Sequence, residues 1–450
     1  MVVSLVGWLG VLLALVCIGF ALRAGRRKRL IDNVPTSKTT GVFVGLVELK
    51  GSAETERPLT SYLAECPCIL YRWSVREHWS RTVTETYTDS KGRTRTRTRR
   101  ESGWRVVASG GQQTVFYLRD DCGVIRVAPK GATVHPVEVF DVHCGRSDPL
   151  YYAKGPAHAV SHSDHRRRFS EEAIPLHASL YVMGPARERD DVVAPEIRHD
   201  PNAAMFLIST RTEASISAGY RAWFWSLGLL AVVLAAAGWA IQDHVLGFEP
   251  GGLVVKYLAI AGGAALSWGL GWVWMAYNSL VNLRQRVRQA WANVDVQLKR
   301  RADLIPQLVR VVRGLRDHER RVQTELAGLR QQLAATAPGE AGPDPRGCVP
   351  LVTAVFEAYP ELKADGLFLN LQRSLVEMEQ RIALAREYFN DIATFYNTRL
   401  QVVPDRCVAA LGRLVPQALI RASDFDRAPV RVDLATNGQR AKPEGVSQGS

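Results

Sequence analysis

The chain has 450 residues, of which 47% are hydrophobic, and 57 Lys and Arg against 44 Asp and Glu give it a net charge of +13. This length suffices for two or three domains, each with its own core. Apolar residues are concentrated in three blocks, and the seven cysteines form no regular framework. Composition therefore excludes a disulfide scaffold, an intrinsically disordered chain and a simple soluble enzyme.

The first apolar block predicts a transmembrane helix over residues 1–22. Residues 2–22 lack charged side chains, and 21 residues in a helix span the hydrocarbon core of a bilayer. Signal peptides carry basic residues before their apolar run, whereas here the basic residues follow it at positions 23, 26, 27, 28 and 29. We therefore predict an uncleaved anchor, followed by a basic juxtamembrane linker over residues 23–40.

Residues 41–215 show short alternating runs that predict a β-rich domain. In residues 69–76, the apolar side chains of Ile69, Tyr71, Trp73 and Val75 alternate with mostly polar neighbours, as in a half-buried strand. Further strand candidates lie at 106–107, 114–118, 124–127, 179–183 and 205–208, and a hairpin turn is predicted at 121–123.

Two polar clusters in this region invite functional interpretations. Residues 91–100 hold six basic side chains, with Arg alternating with Thr, which fits either a solvated hairpin on an edge strand or contact with anionic lipid headgroups. The lipid hypothesis assigns that contact to Arg93, Arg95, Arg97, Arg99 and Arg100. No aromatic residues are interleaved there, so we predict no nucleic-acid partner. His158, His162 and His165 lie beside three arginines that disfavour a cation, so an exposed polar loop is favoured over a metal site.

The same region resembles the GIDE domain, also called "beside a membrane", of membrane-anchored E3 ubiquitin ligases. The resemblance rests on GLV at 45–47, PLTS at 58–61, CILYRWSVREHW at 68–79, IPLHASLYVMG at 174–184 and residues 205–209. It implies a mostly β, membrane-proximal domain. Ubiquitin transfer is a separate hypothesis, because those ligases use a zinc-binding RING and this sequence contains no C-x2-C pair.

Two further uncharged runs predict transmembrane helices over 222–241 and 253–276, the second interrupted only by Lys256. Small residues at 262–265, 269 and 271 offer a face for close helix packing. Basic residues flank one end of all three spans, and the loop between the second and third has none. The positive-inside rule then predicts a multi-pass inner-membrane protein whose amino terminus is outside and whose two large domains are cytoplasmic.

Residues 277–415 predict an all-α bundle of long antiparallel helices. Apolar residues recur at three- and four-residue steps over 280–315 and again over 368–396, which are the seams of side-by-side helices. A segment rich in Pro and Gly at 338–350 separates the two seams. Pro306 is expected either to kink the first helix or to mark a boundary within it. Residues 426–450 are polar and predict a disordered tail.

This second region resembles the LemA family of predominantly bacterial membrane proteins. The resemblance is carried by YNxLV at 277–281, WxNVDVQL at 291–298, RRxDLIPxLV at 300–309, HE at 318–319, YPxLKA at 359–364, RIAxAR at 381–386 and YN at 396–397. It implies a cytoplasmic helical bundle without established enzymatic activity, and by analogy a membrane metalloprotease among its partners. The residues we expect to bind a partner or fix the helix register are Asn278, Trp291, Asn293, Asp295, Arg300, Arg301, Asp303, Pro306, His318, Glu319, Tyr396 and Asn397.

The sequence holds no catalytic motif and predicts neither a metal nor a cofactor. The pair at 318–319 lacks the second His of the zinc motif H-E-x-x-H, because Val322 occupies that position. We therefore expect a non-enzymatic membrane scaffold or adaptor that binds membrane or cytoplasmic proteins. One form of this hypothesis is a scaffold that is itself a homo-oligomer. The alternatives are a ubiquitin-ligase-like protein and a protein that binds anionic lipid or senses membrane curvature.

Overall fold

The computed structural model describes residues 6–88, 94–189, 194–247, 253–315 and 366–420. Three of its helices are long and apolar enough to cross a membrane: α1 (Val6–Asp32), α3 (Glu213–Val245) and α4 (Leu253–Leu315), which contains its candidate span within Val254–Arg300. A β-rich, barrel-like region lies between α1 and α3, and a helical region follows the third span. The fold class expected from the sequence is confirmed.

Helix α1 continues through the basic segment that follows the first apolar run. Arg and Lys are good helix formers, so the helix extends past the apolar run as far as Asp32. It ends before Asn33 and Pro35, because proline disfavours helical backbone at the residue that precedes it. The basic side chains therefore stand on a regular helix at the end of the span, where their positions are fixed relative to one another.

Close packing between the spans depends on glycines of α1 and α3. A Cβ atom at Gly10 would lie 2.8 Å from the Cα of Gly238 and 2.8 Å from the carbonyl oxygen of Leu234. By contrast, a Cβ at Gly262, Gly263 or Gly269 on α4 would meet no atom within 4 Å. The small-residue packing expected along α4 is therefore found at Gly271, where a Cβ would lie 2.6 Å from Leu22 of α1, and not at these three glycines.

We expect Gly10→Leu to disrupt the α1–α3 contact, because the atoms in its way belong to the backbone and cannot rotate aside. The thermal unfolding midpoint of the detergent-solubilised chain should fall by several degrees. Gly263→Leu is the matched control, since it adds the same side chain to open space in another span. Equal midpoints for the two variants would contradict this packing assignment.

The one charged residue in the third apolar run has a partner on α3. Lys256 Nζ lies 2.8 and 3.0 Å from the two carboxylate oxygens of Asp243, and the Tyr257 hydroxyl donates to the same carboxylate at 3.1 Å. Lys256 also lies over the Trp239 ring, 4.6 Å from its centroid. These contacts join the far ends of α3 and α4 and explain how the span accommodates a lysine.

The β-rich region is built on two sheets. In the seven-stranded sheet, β1 (Gly45–Glu54) pairs with both β5 (Phe116–Arg119) and β10 (Ser179–Glu188). Pairing of β5 with β6 (Val124–Val127), β6 with β11 (Pro195–Ile197) and β11 with β10 closes a ring of strands. Strands β12 (Leu207–Ser209) and β7 (Thr133–His135) continue beyond β10. The turn predicted at 121–123 joins β5 to β6, so that prediction is confirmed.

The second sheet has the strand order β2 (Leu59–Thr60), β3 (Pro67–Thr88), β9 (Ser163–Pro175) and β8 (Val137–Gly145). The edge of β3 that faces away from β9 also pairs with β4 (Thr94–Gln113). A short helix, α2 (Leu150–Ala153), follows β8. Buried side chains of both sheets form one apolar core, among them Leu49, Phe116, Val182, Ile69 and Ile174. Beyond Trp79, where the pairing with β9 ends, β3 and β4 project as a two-stranded ribbon.

The helical region packs α4 against α5 (Gly366–Gln401) and α6 (Asp405–Leu411). The two long helices are antiparallel, because Trp291 of α4 meets Phe389 of α5 whereas Tyr277 meets Gly412 beyond the end of α5. Helix α4 runs through Pro306 without interruption, so Pro306 does not end the helix. The third span and the first bundle helix are therefore one continuous helix.

Candidate functional site at the junction of spans, sheets and bundle

The segment between the first span and the first strand contacts the spans, the seven-stranded sheet and the helical bundle. We call residues 28–45 the junction segment. They include the end of α1, a short 3-10 turn over Thr39–Gly41 and the entry into β1. The sequence predicted only a basic linker over most of this stretch. Its tertiary contacts make it the best candidate for a functional site.

An ion-pair network attaches α1 to the carboxyl-terminal helices. Arg29 donates to both carboxylate oxygens of Asp405 on α6, at 2.6 and 3.0 Å, and Asp405 is only 3% exposed. One turn farther on, Asp32 accepts a hydrogen bond from Lys28 and one of 2.6 Å from Ser217 of α3. Arg399 of α5 lies 3.6 Å from both carboxylates. Five charged side chains and one hydroxyl thus join α1, α3, α5 and α6.

The remainder of the junction segment packs onto the bundle. Asn33 donates to the Ser279 hydroxyl of α4 at 2.9 Å, and Gln289 of α4 donates to the Val44 carbonyl at 3.2 Å. Phe43 packs against the α4–α5 core, and a Cβ at Gly41 would lie 3.0 Å from Leu384 of α5. The bundle and the β-rich region therefore lie at the same end of the spans and touch each other.

A small cavity of about 100 Å³ lies between the junction segment and the bundle. Asn293, a predicted site residue, lines it together with Ser37, Gln289, Arg286 and Tyr388. The Nη1 atom of Arg286 is buried there without a hydrogen-bond acceptor, and burial raises the pKa of the neighbouring Tyr388 hydroxyl. Water molecules suit such a polar space.

The other predicted residues of the LemA-like motif are distributed along the bundle. Asn278 donates to the Trp274 carbonyl one turn earlier in α4, and Trp291 contacts Phe389 edge to face with ring centroids 5.1 Å apart. Asp295 and Arg300 are exposed on the outer surface of α4. The backbone of Arg301, Asp303 and Pro306 is helical, and nothing further is described for them. His318 and Glu319 lie outside the described residues.

Tyr396 and Asn397 bind the segment that follows α6. The buried Tyr396 hydroxyl donates to the Val415 carbonyl at 3.1 Å. The Asn397 amide donates to the Gln417 carbonyl at 2.8 Å and accepts from its backbone N–H at 2.9 Å. Asn390, which the sequence interpretation overlooked, makes the same reciprocal pair with Ile420. Asn390 lies seven residues before Asn397 on α5, and this i, i+7 spacing of two amides is the sequence signal that could have identified it.

The arginine-rich stretch lies at the far end of the β3–β4 ribbon. Arg97, Arg99 and Arg100 are exposed on β4, and Arg97 pairs across the ribbon with Glu85 in register. Arg93 lies outside the described residues, and only the backbone of Arg95 is described. The alternation of Arg and Thr on an edge strand is present as predicted.

Asp164, which lies within the histidine cluster, makes internal contacts in the second sheet. Asp164 accepts from Ser80 at 2.7 Å and lies 2.6 Å from Nδ1 of His78, while His158 and His162 are exposed. Beneath them, Arg167 and Glu77 form a fully buried ion pair, and Arg167 lies 3.8 Å from the centroid of the Tyr151 ring.

One acidic cluster within the described residues has metal-ligand chemistry: Asp120, Asp121 and Cys122 in the β5–β6 turn. The Asp120 carboxylate already accepts four hydrogen bonds, two of them from Thr39 of the junction segment. Although burial opposes it, these bonds lower the pKa of Asp120. The cluster therefore attaches the junction segment to the sheet.

These features define a membrane-associated protein in which a β-rich region and a helical bundle meet at one end of three candidate spans. Residues 290–434 match the family model described as LemA family. Residues 84–241 match the GIDE model, described as E3 ubiquitin ligase. Protein LemA of Metamycoplasma hominis is 24% identical over 158 residues, which is 34% of this chain and 72% of that protein. No solved structure gives a significant match.

Both family resemblances expected from the sequence are confirmed. The LemA match starts and ends later than the predicted 277–415, and the GIDE match extends from the β3–β4 ribbon into α3 rather than over 41–215. The chain is thus similar to LemA family proteins over residues 290–434 and to the GIDE model over residues 84–241.

Proposed function

We propose that the chain is a non-enzymatic scaffold of the inner membrane that presents the bundle and the β-rich region to protein partners in the cytoplasm. The observation that carries the proposal is the continuity of α4, which passes from the third span into the bundle without a break. Because the junction segment binds that bundle to α1 and α3, both polar regions are held at a fixed place relative to the membrane.

The outer surface of α4 is the surface offered to partners. Asp295 and Arg300 are exposed there, and between them Val296 is 48% exposed. An apolar side chain flanked by charges is typical of a protein-binding surface with a polar rim. The basic residues that flank the same end of all three spans support a cytoplasmic orientation.

A photo-crosslinking amino acid at Asp295 or Arg300, in cells with normal levels of the chain, tests the scaffold. We expect a discrete protein adduct from these positions that is lost when Val296 is also replaced by Lys. The same amino acid at buried Val287 is the control and should give no such adduct. Adducts with lipid alone, or none from any exposed position of α4 and α5, would contradict the proposal. Adducts with a second copy of the chain would identify a homo-oligomer as the complex.

The ubiquitin-ligase hypothesis makes a separate prediction about zinc. A RING domain binds two zinc ions through clustered Cys and His, whereas the six cysteines in the described part of the chain are free thiols and Cys66 and Cys68 are separated by one residue. We expect less than one zinc ion per purified full-length chain by elemental analysis. Two ions per chain would support ligase chemistry and contradict the non-enzymatic proposal.

The exposed arginines of the ribbon favour a second role in binding anionic lipid. Each basic residue near an anionic surface contributes roughly 1 kcal/mol. A fluorophore at Thr98, introduced as an unnatural amino acid, should therefore shift to the blue in proteoliposomes with anionic lipid compared with neutral ones. Ser at positions 97, 99 and 100 should abolish the shift, as should high salt. An unchanged spectrum in anionic vesicles would remove this role.

A further inference from the structure

A cavity of about 470 Å³ lies where the three candidate spans meet the corner between α5 and α6. Its volume falls within the range of small-molecule binding sites. Residues of α1, α3, α4 and the 399–405 corner all contribute to its wall. The cavity is therefore formed only when the bundle is in place on the spans.

The wall at the bundle side carries excess positive charge. Four cations line it, Lys28, Arg29, Arg221 and Arg399, against two carboxylates, Asp32 and Asp405. Lys28 and Arg29 each have a close carboxylate partner, whereas Arg399 is 3.6 Å from the carboxylates that those residues already use. Arg221 makes no ion pair or hydrogen bond with any described residue. The wall thus carries two positive charges in excess of its carboxylates, and we assign this excess to Arg221 and Arg399.

The wall on the membrane side is apolar and aromatic. Trp225 follows Arg221 by four residues on α3, so the two side chains lie on one face of the helix, one turn apart. Trp225 meets Trp268 of α4 edge to face with centroids 5.3 Å apart, and Phe224 lies 5.3 Å from the same Trp268 ring. At the corner, Val403 is 69% exposed. The cationic side chains of the cavity therefore lie next to its apolar wall, at the end of the spans.

We propose that this cavity binds one anionic phospholipid from the adjoining leaflet. Its phosphate would pair with Arg221 and Arg399, and an acyl chain would cover Trp225, Trp268 and Val403. A zwitterionic lipid brings its own cation and would leave the excess charge unbalanced, and a free phosphate would leave the apolar wall uncovered. The proposal does not depend on the scaffold function and concerns a different surface from the arginine-rich ribbon.

A lipid in this position would join the spans to the bundle. Arg221 belongs to α3 and Arg399 to α5, so one phosphate bound by both would bridge two helices that Asp32 also joins. Because the lipid binds the assembled protein, it should raise the thermal unfolding midpoint of the chain.

The test uses the full chain in a neutral detergent, titrated with phosphatidylglycerol, with phosphatidylcholine of the same acyl chains, or with inorganic phosphate. We expect only phosphatidylglycerol to raise the unfolding midpoint in a saturable way. Arg221→Gln should weaken its apparent affinity about tenfold through the lost charge-assisted bonds. Arg26→Gln is the matched control, because Arg26 is exposed on α1 at the same end of the span and does not line the cavity.

A second variant blocks the apolar wall instead of the charge. A Cβ at Gly269 meets no atom within 4 Å, so Gly269→Phe should leave the lipid-free midpoint unchanged and still abolish the lipid effect by filling the cavity. Equal stabilisation by phosphatidylcholine, or equal affinities of the Arg221→Gln and Arg26→Gln chains, would overturn the proposal. Stabilisation by inorganic phosphate alone would also overturn it, because it would show an anion site that needs no lipid.

Discussion

Replacing Glu77 with Gln should destabilise the β-rich region by about 3–5 kcal/mol, the usual effect of removing one partner from a buried ion pair. Glu77 and Arg167 are both fully buried, and Arg167 Nε and Nη2 lie 3.3 and 3.2 Å from one Glu77 oxygen. The other oxygen accepts from Tyr151 at 2.9 Å and from Ser163 at 2.5 Å. The variant leaves the Arg167 cation buried without a counter-ion.

Glu48 is a matched comparison, because it is equally buried and should respond in the opposite way. It accepts from Thr36 at 2.7 Å and Tyr181 at 2.9 Å, while its nearest cation, Lys50, is half-exposed and 3.4 Å away. Burial outweighs these bonds and raises the pKa of Glu48. Glu48→Gln removes a poorly compensated charge and should leave stability at pH 7 unchanged or higher.

The two glutamates also predict opposite pH dependences. Burial opposes ionisation of Glu77, but its hydrogen bonds and Arg167 lower its pKa below the unfolded value near 4.5. Its stabilisation is therefore present above pH 4.5 and is lost as the pH falls through its folded pKa. The raised pKa of Glu48 has the reverse sign: its contribution is present below pH 4.5 and is lost as the pH rises through its folded pKa.

Thermal unfolding midpoints of the full chain between pH 3.5 and 8 measure both effects. Glu77→Gln should flatten the acid side of the profile, and Glu48→Gln should remove the fall in stability just above pH 4.5. Arg168→Ser controls for loss of charge, since the neighbouring Arg168–Asp141 pair is solvent-accessible and should contribute little. Similar midpoints for the Glu77→Gln and Arg168→Ser chains at pH 7 would show that the buried pair does not act as described.

The second large effect is expected at the junction. Asp405→Asn should release α6 from α1, because Arg29 loses the bidentate carboxylate that it binds at 2.6 and 3.0 Å. Hydrogen bonds to charged groups contribute about 1.5–3 kcal/mol each, so local opening should become at least tenfold more frequent. Hydrogen exchange of residues 402–420 should accelerate, while exchange in the β-rich region stays unchanged.

Asp295→Asn provides the control for this experiment. Asp295 is exposed on α4 and has the same side-chain chemistry, so its replacement should leave exchange at 402–420 unaltered. If Asp405→Asn also left that exchange unaltered, the Arg29–Asp405 pair would not couple α1 to α6. Faster exchange throughout the bundle would instead show that the pair holds the whole α4–α5 seam.

Local patterns in the sequence predicted the spans, six of the twelve described strands and the two helix seams. An uncharged run of about 20 residues has few alternatives to a span, and strict three- and four-residue spacing has few alternatives to a helix seam. The turn at 121–123 was also predictable from a local pattern, because Gly123 ends a short polar break between two apolar runs.

Contacts between distant residues could not be predicted in this way. Arg29 and Asp405 are 376 positions apart, and nothing near either residue indicates the other. Gly10 and Gly238 looked no different from Gly262, Gly263 and Gly269 of α4, which face open space. Arg167 lies between two other arginines, yet only Arg167 is buried, because the alternation of β9 turns it towards Glu77.

The sequence by itself determined that this protein has three candidate spans, a β-rich region and a helical bundle, because each depends on a periodicity of neighbouring side chains. The tertiary structure alone decided that the bundle and the β-rich region meet at one end of the spans. It also decided that a basic segment, which looked like a linker, binds all three parts together. That arrangement depends on pairs of charges and close backbone contacts between residues far apart in the chain, which have no local signature.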